Sequence, residues 1–108
     1  MTAPESAILL YIVCASPAEA KAIGLKAVES RHAACANILP GMSSIYRWEG
    51  RVETTAETIL LLKTRAALFE SCAALVRASH SYATPCIIAL PIAQGTPDYL
   101  NWLTAQTA

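Results

Sequence analysis

The chain has 108 residues, 55% of them apolar and 15% charged, with eight basic residues balancing eight acidic ones. That length supplies one domain, residues 1–108, and the excess of apolar over charged residues excludes intrinsic disorder. A formal net charge of zero leaves no basic footprint for nucleic acid or an anionic membrane, whereas so small and apolar a domain is expected to cover its exposed patches by associating with copies of itself.

Ala7 to Cys14 is rich in Ile, Leu, Val and Tyr without alternation, the pattern of a strand covered on both faces or set at the centre of a sheet. The apolar run that ends at Ala15 is too short for a bilayer, which takes about 20 residues. It resembles a leader core, but Met1 to Ser6 carries Glu5 and no Lys or Arg, so secretion is not expected. Cys14, Cys35, Cys72 and Cys86 form no CxxC pair, and reduced thiols in the cytoplasm are the default reading.

Ser16-Pro17-Ala18-Glu19 combines a hydroxyl cap, Pro at the first helical position and Glu three beyond the cap, a reciprocal capping box. Ala20, Ile23, Gly24, Ala27 and Val28 then make one apolar stripe on a helix that ends near Arg31. Ala34 to Leu39 reads as a second strand that Pro40-Gly41 interrupts and Ser44 to Glu49 resumes, and Glu49-Gly50 turns the chain into a third strand from about Val52 to Lys63. The hairpin root is apolar and its tip polar, yet Tyr46 and Trp48 share one pleat face of that tip and need a surface to cover them. Glu49, Glu53 and Glu57 read as a solvated edge. Thr64 is expected to cap a second helix through about Ser79, with Leu68, Cys72, Leu75 and Val76 on its stripe. Cys86 to Leu90 is a fourth strand ended by Pro91, and Thr96-Pro97-Asp98 opens a short terminal helix.

The order βαββαβ plus one helix is an α+β, ferredoxin-like sandwich with an antiparallel sheet and a long hairpin between strands two and three. Proline supports the strand order. A residue without N–H is tolerated at edges and bulges, and Pro40 and Pro91 fall on strands two and four, as the order 4-1-3-2 requires.

The fold hosts many activities, so function must come from residues. A Cu(I) clamp of the CxxC kind lacks its second thiol at Cys14-Ala15-Ser16-Pro17, and an acyl-phosphate hydrolase lacks its glycine nest and Arg at that loop. An RNA-binding surface would need aromatics on strand three, which offers Leu, Ile and Thr. With two His and one Asp, a catalytic triad has almost no parts. There remain Cys14, Cys35, His80, Tyr82 and Cys86, soft or aromatic groups near sheet ends. Their plainer role is packing for the thiols and helix termination for His80. Cys72, on a helical stripe, is read as core.

Ala33-Ala34-Cys35-Ala36-Asn37-Ile38, Pro40-Gly41, Ser44 to Gly50, Leu62-Lys63-Thr64, Ile88 to Ile92 and Tyr99 to Leu103 together resemble the CutA family of divalent-cation tolerance proteins, from about Ile8 to Leu103. The resemblance implies a cytoplasmic homotrimer, similar in architecture to PII signalling proteins, with hairpins reaching across subunits and Tyr46 and Trp48 at the interface. It implies tolerance to divalent metals, copper in particular, with no catalytic reaction, and Cys14 and Cys35 as candidate ligands aided by His80 or Cys86. Ser81, Ala83 and Cys86 stand where the family usually has Pro, Glu and Glu. The last change favours copper over hard cations. Two other functions stay open: a PII-like sensor taking a small anionic ligand between subunits through Arg47, Lys63 or Tyr82, and a structural trimer serving as scaffold for a partner.

Overall fold

The computed structural model describes residues 6–108; most of the Met1 to Ser6 stretch on which the leader question turned lies outside them. Strand β1 (Ala7–Cys14) buries Ile8, Leu10, Ile12 and Cys14 on one face and leaves Leu9, Tyr11 and Val13 half-buried on the other. It is central, as its composition predicts, but within one chain only one of its faces is fully covered. Helix α1 (Pro17–Glu29) buries Ala20, Ile23, Gly24 and Ala27 against that covered face, while Val28 remains partly exposed. Gly24 permits the close fit, because a Cβ there would stand 3.1 Å from Ala36 Cβ and 3.2 Å from a Leu60 methyl.

Strands β2 (Cys35–Trp48) and β3 (Arg51–Arg65) form the long hairpin, closed by Glu49 and Gly50, both at positive φ, the two-residue turn that matches the twist of its arms. Pro40-Gly41 does not break β2. Leu39 pairs with Ile59 and Met42 with Glu57, so two residues oppose one in a bulge, with Gly41 at φ 81°. Because side chains alternate, the extra residue moves every later side chain to the other face. Ala36 and Ile38 at the root look toward the helices, whereas Met42, Ser44, Tyr46 and Trp48 share the open face with Leu39.

A 3-10 turn (Ala66–Leu68) leads into helix α2 (Phe69–Ser79), which buries Cys72 and Val76. Thr64 does not cap it. The residue is fully buried in β3 opposite Ile8, and its hydroxyl donates to the His32 carbonyl at 2.7 Å, so the hydroxyl is already used when the helix begins. Strand β4 (Ile87–Pro91) completes a sheet of order β2-β3-β1-β4, antiparallel throughout, with Pro40 and Pro91 on its edge strands as expected. Helix α3 (Pro97–Gln106) starts at Pro97 as expected, without a side-chain bond from Thr96, and docks through Leu103 and through Arg65, which donates to the Thr107 hydroxyl and carbonyl.

Candidate functional site

The loop after β1 and the loop before β4 meet at one end of the sheet, and Glu19 joins them. Ser16 Oγ accepts from Glu19 N–H as a cap should, but the Glu19 side chain is not spent on Ser16. Its Oε1 accepts from Ala15 N–H and its Oε2 from Ser81 N–H, both at 3.0 Å. Burial would raise this carboxyl; the hydrogen bonds from Ser81 and Ala15 outweigh it and hold its pKa below the ordinary value.

His80 follows α2 directly, with its side chain fully enclosed. Its Nε2 lies 2.7 Å from the Val13 carbonyl, which only accepts, and its Nδ1 takes Tyr82 N–H at 3.0 Å. The two partners fix the neutral tautomer with the proton on Nε2. Glu19 Oε1 is 3.7 Å from the same Nε2. Cys14 Sγ, buried at the end of β1, completes the cluster: one ligand atom from each of Cys14, Glu19 and His80 lies within 4.8 Å of the others. Burial, then the charges of Glu19 and Glu57, push the Cys14 thiol up to about 11, so at neutral pH it keeps its proton.

The other expected ligands fall elsewhere. Cys14 is level with Thr58 on β3 and Cys35 with Lys63, which separates them by about 17 Å along the strand within one chain. One subunit alone therefore does not form a Cys14–Cys35 pair; Cys35 sits instead beside Asn37 Oδ1 at 3.5 Å and borders a shallow recess with Trp102. Cys86 is exposed and presents to the open face of the sheet, opposite the buried Cys14. Burial and Glu57 raise its thiol pKa too. All four thiols are free, and Cys72, raised by burial to about 11, donates to the His32 carbonyl within the core.

On that open face, between the outer part of the hairpin beyond the bulge and the loop before β4, lies a cleft of about 780 Å³. Tyr11, Tyr46, Trp48 and Tyr82 contribute to its walls, with Met42 and Glu57 between them. Tyr11 OH donates to Met42 Sδ at 3.4 Å and Tyr82 OH to Glu57 Oε2 at 2.6 Å. Burial and the Glu57 carboxylate raise the Tyr82 phenol well above its usual range. Of the residues expected in a ligand cleft, Tyr82 is present, while Arg47 and Lys63 do not line it; Lys63 lies 3.4 Å from Tyr99 OH, beside α3. Glu57 is only 7% exposed, the reverse of the solvated edge expected of it. Sequence reasoning missed Glu57 as a site residue, and Glu19 was seen only as a capping acid. The available signal for Glu57 was a single acid at the point where β3 turns apolar.

Together these features define a ferredoxin-like α+β domain with a thiol, imidazole and carboxylate gathered at one sheet end and a cleft on its open face. Residues 8–106 match the CutA1 divalent ion tolerance protein family. The chain belongs to that family. It is 44% identical to the divalent-cation tolerance protein CutA of Thermus thermophilus, an alignment covering 92% of this chain and 96% of the relative. Mouse protein CutA is 38% identical over 93% of this chain, which spans only 56% of the mouse protein's length. The crystal structure of CutA from Xylella fastidiosa superposes with a TM-score of 0.93 at 36% identity, covering 95% of this chain and 99% of that one. Among the described residues, no helix is long and apolar enough to cross a membrane.

Proposed function

We propose that this protein acts in tolerance to divalent cations as a cytoplasmic homotrimer that binds copper or another divalent ion through Cys14, Glu19 and His80. The observation that carries the reading is the convergence of those three donors within 4.8 Å, and the names of the relatives agree with it. One sulfur, one imidazole nitrogen and one carboxylate suit copper or zinc rather than magnesium or calcium, which take oxygen. Such an ion would supply charge neutralisation for a thiolate that the site otherwise keeps protonated.

Binding has a definite cost here. Cys14 must lose a proton held with a pKa of about 11, and His80 must surrender the bond from Nε2 to Val13 O. Coordination through Nε2, the ring atom 3.7 Å from Glu19, displaces the Val13 carbonyl and moves the ring proton to Nδ1, where it faces the Tyr82 N–H donor. Occupancy is thereby coupled to the Ser81–Tyr82 loop, as a responsive site requires.

Competitive copper titration tests the reading. Cys14→Ser should weaken binding tenfold or more, roughly, with Cys35→Ser close to wild type. Because one proton is released, affinity should rise about tenfold per pH unit across the neutral range. Equal affinity in wild type and Cys14→Ser ends the proposal.

A further inference from the structure

We infer, resting on the metal site and the homotrimer proposed above, that Tyr82 sets these two against each other: occupancy of the metal cluster loosens the contact between subunits, and assembly weakens the hold on the ion by the same factor.

Three observations carry this. First, Tyr82 is bonded to both places at once. Its backbone N–H donates to His80 Nδ1 at 3.0 Å, inside the cluster, and its hydroxyl donates to Glu57 Oε2 at 2.6 Å, on the open face. Its ring also packs on the imidazole, with centroids 4.9 Å apart, so a turn of the histidine displaces the phenol. Second, the two places are the two sides of one sheet end. Cys14 pairs with Thr58, the neighbour of Glu57, and alternation along β3 puts Thr58 on the covered face and Glu57 on the other. Third, Glu57 stands with Tyr11, Met42 and Trp48 on the apolar face that a second copy of the chain would cover, and the Tyr82 hydroxyl is its only side-chain partner among the described residues. The consequence follows from elementary hydrogen bonding. Coordination through Nε2 puts the ring proton on Nδ1, where donor meets donor, and Tyr82 N–H must withdraw. The hydroxyl is carried off Glu57 with it. In a separate chain, water replaces the phenol on that carboxylate. Beneath a second copy water is excluded, and a carboxylate left without its donor is costly. The penalty therefore falls on the combination of bound ion and assembled chain.

Sedimentation equilibrium of the full chain, in zinc or in chelator, tests the linkage, with calorimetry to establish that zinc binds. Zinc suits the sulfur, nitrogen and oxygen donors and brings no redox chemistry. Native mass spectrometry of mixed unlabelled and isotope-labelled chains reads subunit exchange in an assembly too tight to dilute apart. Zinc should raise the dissociation constant, or speed exchange, roughly fivefold or more. Tyr82→Phe keeps the N–H on His80 but has no hydroxyl to withdraw, so zinc should leave its association close to that of the zinc-free variant. Glu57→Gln, neutral when abandoned, should respond less than wild type. In Cys14→Ser zinc should have no effect, which excludes ions bound elsewhere on the surface. Zinc that binds wild type and leaves association unchanged or tighter, or a full response in Tyr82→Phe or Cys14→Ser, overturns the linkage and leaves the trimer standing. Wild type that binds no zinc, or that never assembles, overturns the reading beneath it and the linkage together.

Discussion

A single carboxylate, Glu19, ties together the two loops that build the metal cluster. It accepts Ala15 N–H with one oxygen and Ser81 N–H with the other, so each arm of the side chain holds a different loop. Glu19→Gln keeps the shape but turns an NH₂ group toward one of those N–H donors. The expected cost at pH 7 is about 1–2 kcal/mol, the usual worth of a charge-assisted bond lost in part. The sign of its pH dependence follows from the lowered pKa of the carboxyl. Its stabilisation is fully present above the pKa of the unfolded chain and disappears as pH falls through that of the folded chain. Urea denaturation of both proteins should show the gap at pH 7 and its closure in acid; a gap that persisted undiminished in acid would mean that Glu19 contributes through shape alone.

At the scale of elements, the bulge in β2 decides what the hairpin does. Gly41 holds φ 81°, and a Cβ at that position would meet no atom within 4 Å, so the requirement there is conformational rather than steric. Gly41→Val should therefore cost about 1–2 kcal/mol by forcing a β-branched residue into the left-handed region. Part of that loss can be escaped by slipping the register, which would turn Tyr46 and Trp48 away from the cleft into water and red-shift the Trp48 emission relative to wild type. Native fluorescence with unchanged stability would show that the bulge does not depend on Gly41. The element order, the edge positions of the prolines and the shared face of Tyr46 and Trp48 were all legible from periodicity and from the absence of a proline N–H. Which face those aromatics occupy was not legible, because one inserted residue inverts it and insertion is set by pairing across the hairpin. The same holds for Thr64 and Glu57. A hydroxyl before a helix reads as a cap until the His32 carbonyl is known to stand beside it, and an acid in a polar hairpin reads as solvated until the Tyr82 loop closes over it.

For the whole molecule, the hairpin stretches the chain to 44 × 27 × 23 Å with a radius of gyration of 14.3 Å, against about 13 Å for a compact domain of this length. Its arms carry Ile45, Trp48 and Val52 into solvent, and on β4 Ile88 and Leu90 are 52% and 46% exposed on the same open face that leaves Tyr11 and Val13 half-covered. That much apolar surface on a chain with no net charge favours self-association, which is the physical ground for the proposed trimer. Ile88→Lys places a charge in the middle of this face without touching the core, since Ile87 is the neighbour that packs inward. The monomer should fold as before, while association weakens by about 2 kcal/mol or more per interface. Trp48→Ala should act in the same direction from the hairpin tip. Sedimentation equilibrium between micromolar and nanomolar concentration separates the outcomes: a trimer in wild type that dissociates in Ile88→Lys supports the open face as the contact, whereas a wild-type chain that stays monomeric throughout, or a variant that stays trimeric, refutes it.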